Sequence, residues 1–255
     1  MTKTYNRKKI AKFATLFTMF LCLTLCISFA ELFSSLITVG GFSSITSGDV
    51  KQPSFSVYAI SLYATETKVQ AREMADITKR KNGAGYIWQG SECYYVFASC
   101  YETEADAKKV EQNLKENGTN CTIVKLDFSD ITIKAEVTNE EKTTLGSAVH
   151  SFKDVYKKLY DLSVSIDTNL HTEIQAKVLL GDITSEFAKV KTNYETLFNS
   201  KLTSNLLDLK LSLTNVQNIL NELAEFSSNE IPYTSQVKNT YFKVLYEYYN
   251  LSKIL

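Results

Sequence analysis

The sequence contains few of the residues that interrupt regular structure, with two prolines and nine glycines among 255 residues. This scarcity excludes collagen-like and Pro/Gly-rich disordered chains. A charge excess of either sign is also missing, because 28 Lys and Arg residues balance 28 Asp and Glu residues. A neutral chain has no overall basic field to attract a polyanion. We therefore expect a folded protein that does not bind nucleic acid.

The residue patterns of common active sites are missing as well. The two histidines, His150 and His171, lie far apart, and no Cys-x-x-Cys pair or Gly-rich phosphate loop occurs. Neither a Ser/His/Asp nor a Cys/His arrangement can be recognised. The sequence predicts a protein that is not an enzyme and that uses no metal and no cofactor.

One long apolar run lies near the N-terminus. Residues 13–30 carry no charge, and Arg7, Lys8, Lys9 and Lys12 precede them. At about 1.5 Å per residue, such a run nearly spans the hydrocarbon core of about 30 Å. The basic flank predicts a single-pass membrane anchor, with the N-terminus cytoplasmic and the bulk of the chain extracytoplasmic. A signal peptide cleaved after Ala30 is the alternative, but the length of the apolar stretch favours the anchor.

We divide the chain at changes in composition. Residues 1–40 form the cytoplasmic stub and the anchor, and residues 41–54 form a Gly/Ser-containing linker. Between residues 55 and 128, β-prone runs alternate with helical periodicity. Two segments there are similar, SLYATE at 61–66 and SCYETE at 99–104, and each leads into a helical pattern that ends at Asn-Gly. The order β-α-β-β-α-β is typical of a ferredoxin-like, split βαβ domain.

The doubled pattern resembles the sporulation-related repeat (SPOR) family. The half-motifs of the family correspond here to VYAISLY at 57–63 and YYVFASCY at 94–101. Ala59 stands at the family's Gln position, and Tyr95 and Phe97 stand at its two Arg positions. The resemblance implies binding to septal peptidoglycan, specifically to denuded glycan strands, in bacterial cell division or sporulation.

The candidate binding site is the sheet face that the two helices do not cover. Strand alternation turns Tyr58, Ile60, Tyr94 and Val96 toward the helices. The opposite parity places seven residues on the open face: Ala59, Ser61, Tyr86, Trp88, Tyr95, Phe97 and Ser99. Soluble domains rarely leave four aromatic side chains exposed together. Two alternatives remain for what binds this face: sugar rings that stack on the aromatic rings, or protein.

The C-terminal part has a different periodicity. Apolar residues recur at spacings of four and three from Leu145 to Leu255, which predicts an antiparallel four-helix bundle over residues 140–255. The last helix carries aromatic residues all round: Tyr241, Phe242, Tyr246, Tyr248 and Tyr249. Most belong in the core, and the surplus rings are candidates for docking on the sheet domain or on a division or sporulation partner.

The resemblance to the SPOR family, taken with this organisation, implies two alternative functions in the bacterial envelope. The first is a membrane-anchored protein that binds peptidoglycan at the septum. The alternative is an envelope scaffold whose SPOR-like domain binds protein, either its own helical region or a partner, and not glycan.

Overall fold

The computed structural model describes residues 49–134 and 136–255. The predicted anchor, the alternative cleavage site and most of the predicted linker lie outside these described residues. Within them, no helix combines the length and the hydropathy that crossing a membrane requires.

The described residues form an α+β architecture with two small sheets and six helices. The strands are β1 (Val50–Gln52), β2 (Phe55–Thr65), β3 (Tyr86–Gln89), β4 (Tyr94–Tyr101), β5 (Thr122–Phe128) and β6 (Ile131–Ile133). The helices are α1 (Lys68–Arg80), α2 (Glu104–Glu116), α3 (Asn139–Asp167), α4 (Glu173–Phe198), α5 (Ser204–Ala224) and α6 (Tyr233–Ile254).

The larger sheet is built from four antiparallel strands in the order β3-β4-β2-β5. Its elements follow the predicted sequence β-α-β-β-α-β. Thr103 caps α2 by accepting a hydrogen bond from the Asp106 amide, at the position that the repeat indicates. In the first copy β2 continues through Thr65, and Thr67 caps α1 instead. The two copies therefore differ in where strand gives way to helix.

A two-stranded ribbon joins the chain before the sheet to the chain after it. β1 pairs antiparallel with β6, so that Val50 lies opposite Ile133. Both residues are buried, and β1 packs against α3. The predicted linker over 41–54 is therefore wrong at residues 50–52, which form a strand. Three-residue strands are too short to give a periodic signal in a sequence.

Four long helices follow the sheet. α3 and α4 begin with capping boxes, in which Thr138 pairs with Glu141 and Thr172 pairs with Gln175. α3 contacts α4 and α6, and α5 contacts α4 and α6. The apolar residues of these helices share one continuous buried cluster with Val57, Phe97 and other residues of the sheet. One face of the sheet and the four long helices consequently share one hydrophobic core.

Candidate functional site

The two faces of the four-stranded sheet are covered by different helices. On one face, Ile60 packs with Ala107 of α2, and Val96 packs with Ala71 and Ala75 of α1. These contacts agree with the predicted inward parity of Ile60 and Val96. The candidate site therefore lies on the other face.

That second face is covered by α6, so the expectation of an open sheet face is wrong. The Phe242 ring stacks on Phe97, with centroids 5.3 Å apart, and on Tyr86, with centroids 5.4 Å apart. Phe97 and Phe242 are both fully buried. The aromatic ring of a helix thus occupies the position at which a sugar ring would stack.

Trp88 is held on the same face by two further rings of α6. Its ring makes edge contacts with Tyr246, at a centroid distance of 5.6 Å, and with Tyr249, at 5.2 Å. Edge-to-face pairs of this kind stabilise by about 0.5–1.5 kcal/mol beyond their buried area. Only 8% of the Trp88 surface is exposed. Aromatic side chains of the last helix therefore pack on the sheet.

The small candidate residues are enclosed by the same packing. Ala59 is fully buried within the cluster that the helices share with the sheet. Ser61 lies opposite Phe97, is 2% exposed, and donates its hydroxyl hydrogen bond to the Tyr63 carbonyl. Neither residue is accessible to a ligand from solution.

Ser99 does not lie on the predicted face. The pairing of β2 with β4 changes register between Ile60 and Ser61, so that Ser99 lies opposite Ile60 while Phe97 lies opposite Ser61. Directly opposite residues share a face, so Ser99 joins Ile60 on the α2 side. Its hydroxyl bonds to the Tyr101 hydroxyl, at 3.2 Å. A bulge at Ala98 causes this change, because one extra residue reverses strand parity.

Tyr95 lies at the margin of the covered face. Its ring stacks on Phe97 with a centroid distance of 6.1 Å and remains half-buried. Six of the seven candidate residues are therefore brought to one face or its margin. Their neighbours on that face belong to the same chain.

Polar side chains at the start of α6 form hydrogen bonds with the end of α1 and the loop that follows it. The Ser235 hydroxyl contacts the Lys79 carbonyl at 2.5 Å and the Gly83 carbonyl at 2.8 Å. Lys238 Nζ donates to the Asn82 carbonyl at 2.9 Å, and the Asn239 amide donates to the Ala84 carbonyl at 3.0 Å. These three residues are not among the candidates predicted from the sequence. Their only signal is a polar stripe, at spacings of three and one, on a mostly apolar helix.

A second set of polar contacts between the sheet and the long helices lies at the free edge of β4. β3 pairs with Tyr94 through Phe97, and among the described residues no strand lies beside Cys100 on that side. Its amide donates instead to the Tyr241 hydroxyl, at 3.2 Å, and its thiol lies 3.6 Å from the Tyr156 hydroxyl. Burial raises the pKa of the Cys100 thiol to about 12 and raises the pKa of the Tyr241 phenol well above its ordinary value.

The buried phenols and thiol make stability sensitive to alkaline pH. Cys100 and Tyr241 remain neutral in the folded chain, whereas in the unfolded chain they lose protons above about pH 8.5 and 10. The unfolded state then binds fewer protons, so the free energy of unfolding decreases as pH rises. Below about pH 8.5 both groups are neutral in both states, so their contribution to stability does not change with pH. Above the unfolded pKa of each group, we expect a loss of up to about 1.4 kcal/mol per pH unit for that group, until its folded pKa is reached.

Urea denaturation between pH 8 and 11 measures this dependence. A Cys100→Ala chain lacks the thiol contribution, so its stability should fall less steeply between pH 9 and 10. A free energy of unfolding that stays constant up to pH 11 would contradict the burial of these groups in solution.

The candidate face consists of aromatic and small side chains that pack against α6. In the described part of the chain, no group of three or more His, Cys, Asp or Glu side chains is arranged to hold a metal ion. Cys93, Cys100 and Cys121 are all free thiols. No protein-family model, curated protein or solved structure matches this chain.

Proposed function

We propose that this chain is a membrane-anchored scaffold of the bacterial envelope, without catalytic activity, whose SPOR-like sheet domain binds protein and not glycan. The protein bound is its own C-terminal four-helix bundle. The observation that carries the proposal is the seating of Phe242 between Phe97 and Tyr86 on the candidate face. The anchor at residues 13–30 would hold the scaffold at the membrane, and a septal location follows from the family resemblance.

The free energy needed to release α6 from the sheet argues against its displacement by a ligand. Releasing α6 would expose Phe97, Trp88 and Phe242, each at a cost of about 1.5–3 kcal/mol. The sum of about 5–9 kcal/mol is comparable with the whole stability of a domain, about 5–15 kcal/mol. It would be added to the cost of breaking the hydrogen bonds of Ser235, Lys238 and Asn239. A glycan strand would have to supply this free energy before any affinity appeared.

Binding of denuded glycan in division or sporulation is the second candidate function. The β-α-β-β-α-β order and the aromatic character of the face favour it. This function requires that α6 leave the sheet.

Sedimentation with cell wall tests the proposal. We expect the full chain, solubilised in detergent, to remain in the supernatant with both intact and amidase-treated peptidoglycan, because its sheet face is filled. A SPOR domain that binds denuded glycan serves as the positive control. Sedimentation with amidase-treated wall alone would contradict the scaffold proposal and support the second candidate.

A further inference from the structure

A groove lies between the C-terminal half of α3 and the first half of α4. It encloses a cavity of about 410 Å³. Its apolar lining consists of Leu162, Leu170, Leu179 and Ile183. This volume falls within the range of about 300–1,000 Å³ that is typical of binding pockets.

Part of the apolar lining of the groove is exposed to solvent. Leu170 is 71% exposed and Leu179 is 36% exposed. Exposed large apolar side chains that line a groove mark interaction sites.

The groove carries a negative rim. Lys158 of α3 pairs with Glu186 of α4 across the opening, so these two charges cancel. Asp161 and Asp182 also line the groove, and in the described residues neither has a cation within 4.0 Å. The remaining titratable lining residue is His171, whose Nδ1 is buried without a hydrogen-bond partner. The surface is therefore apolar at its centre and acidic at its edge.

We infer that this groove is the docking site for an amphipathic helix of a partner protein whose apolar face is flanked by Lys or Arg. The inference rests on the proposed scaffold function and assigns the partner to the α3–α4 corner. Helices dock in this way by placing apolar anchors one turn apart in a hydrophobic groove. Basic residues on the flanks would meet Asp161 and Asp182.

The same charges argue against two other occupants. A second copy of the chain that used this patch with two-fold symmetry would bring the acidic rim against its own equivalent. An anionic lipid surface would meet Asp161 and Asp182 with charge of the same sign. Only a basic partner complements both features of the groove.

The test uses the full chain in zwitterionic nanodiscs and two fluorescent helical peptides of about four turns. The peptides share a leucine face, and one carries Lys and the other Glu at the flanks. Fluorescence anisotropy, corrected with empty discs, should show tighter binding of the Lys peptide. Leu170→Glu combined with Leu179→Glu should weaken that binding at least about tenfold, or about 1.4 kcal/mol.

Two variants complete the design. Leu207→Glu combined with Leu211→Glu alters α5 residues that are 43% and 54% exposed, and it should change the affinity less than about twofold. Asp161→Lys combined with Asp182→Lys should reverse the preference toward the Glu peptide. Equal binding of both peptides, or indifference to the groove variants, would overturn the inference. Self-association that Leu170→Glu abolishes would overturn it in favour of a second copy.

The outcomes separate this inference from the scaffold function. A chain that stays in the supernatant with cell wall, but binds the Lys peptide independently of Leu170, overturns the docking site alone. A chain that sediments with denuded glycan, yet loses the Lys peptide on groove substitution, overturns the scaffold function and retains the groove.

Discussion

Phe97→Asp is expected to leave the chain largely unfolded. Phe97 is fully buried and stacks on Phe242, so the substitution removes a core ring and places a carboxylate among buried aromatic rings. Truncation of a buried Phe alone costs about 3–5 kcal/mol, and the buried charge adds to that loss. Urea denaturation measures the change, and Trp88, the only tryptophan of the chain, reports on this face by fluorescence.

Tyr95→Asp is the matched control for Phe97→Asp. Tyr95 lies two residues away on the same strand and the same side of the sheet, but its ring is half-buried at the margin. Its new carboxylate can reach water, so we expect a loss of about 1 kcal/mol. If both variants lost equally little stability, the face would be accessible in solution. That result would support the glycan candidate over the scaffold.

Local sequence patterns predict the sheet well because they reflect local physical constraints. Strand alternation identifies the inward residues Ile60 and Val96, and Thr103 is found at the predicted helix cap. Alternation fails at Ser99, because the bulge at Ala98 adds a residue that leaves no mark in composition. A single extra residue is sufficient to reverse the face of every position that follows it.

The packing of α6 on the sheet depends on contacts between residues far apart in the sequence, which no local pattern predicts. Phe97 and Phe242 are 145 residues apart, and each is compatible with a core, a ligand platform or a protein interface. The excess of aromatic residues on the last helix predicts a docking surface but does not identify its target. Ser235, Lys238 and Asn239 help to determine where α6 docks. Their partners are the main-chain carbonyls of Gly83, Asn82 and Ala84. Carbonyl groups have no sequence signature, so these contacts cannot be predicted from the sequence.

The hydroxyl of Tyr241 protects the edge of the sheet where β3 ends. The Cys100 amide points away from β2 at this position and finds its partner in that hydroxyl group. An unpaired main-chain N–H on a strand edge is a site for unwanted strand addition when exposed, and it is costly when buried. Tyr241 is fully buried, so the loss of its oxygen cannot be replaced by water without rearrangement.

Tyr241→Phe should therefore destabilise the chain by about 1–3 kcal/mol although it removes a single oxygen atom. Hydrogen exchange of the Cys100 amide should accelerate more than exchange at Val96, which lies in the part of β4 that pairs with β3. Tyr246→Phe is the matched control, because Tyr246 is 42% exposed and should change stability by no more than about 0.5 kcal/mol. Equal effects of the two substitutions would show that Tyr241 contributes only its ring. Another group would then have to protect this edge of β4 from pairing with an additional strand.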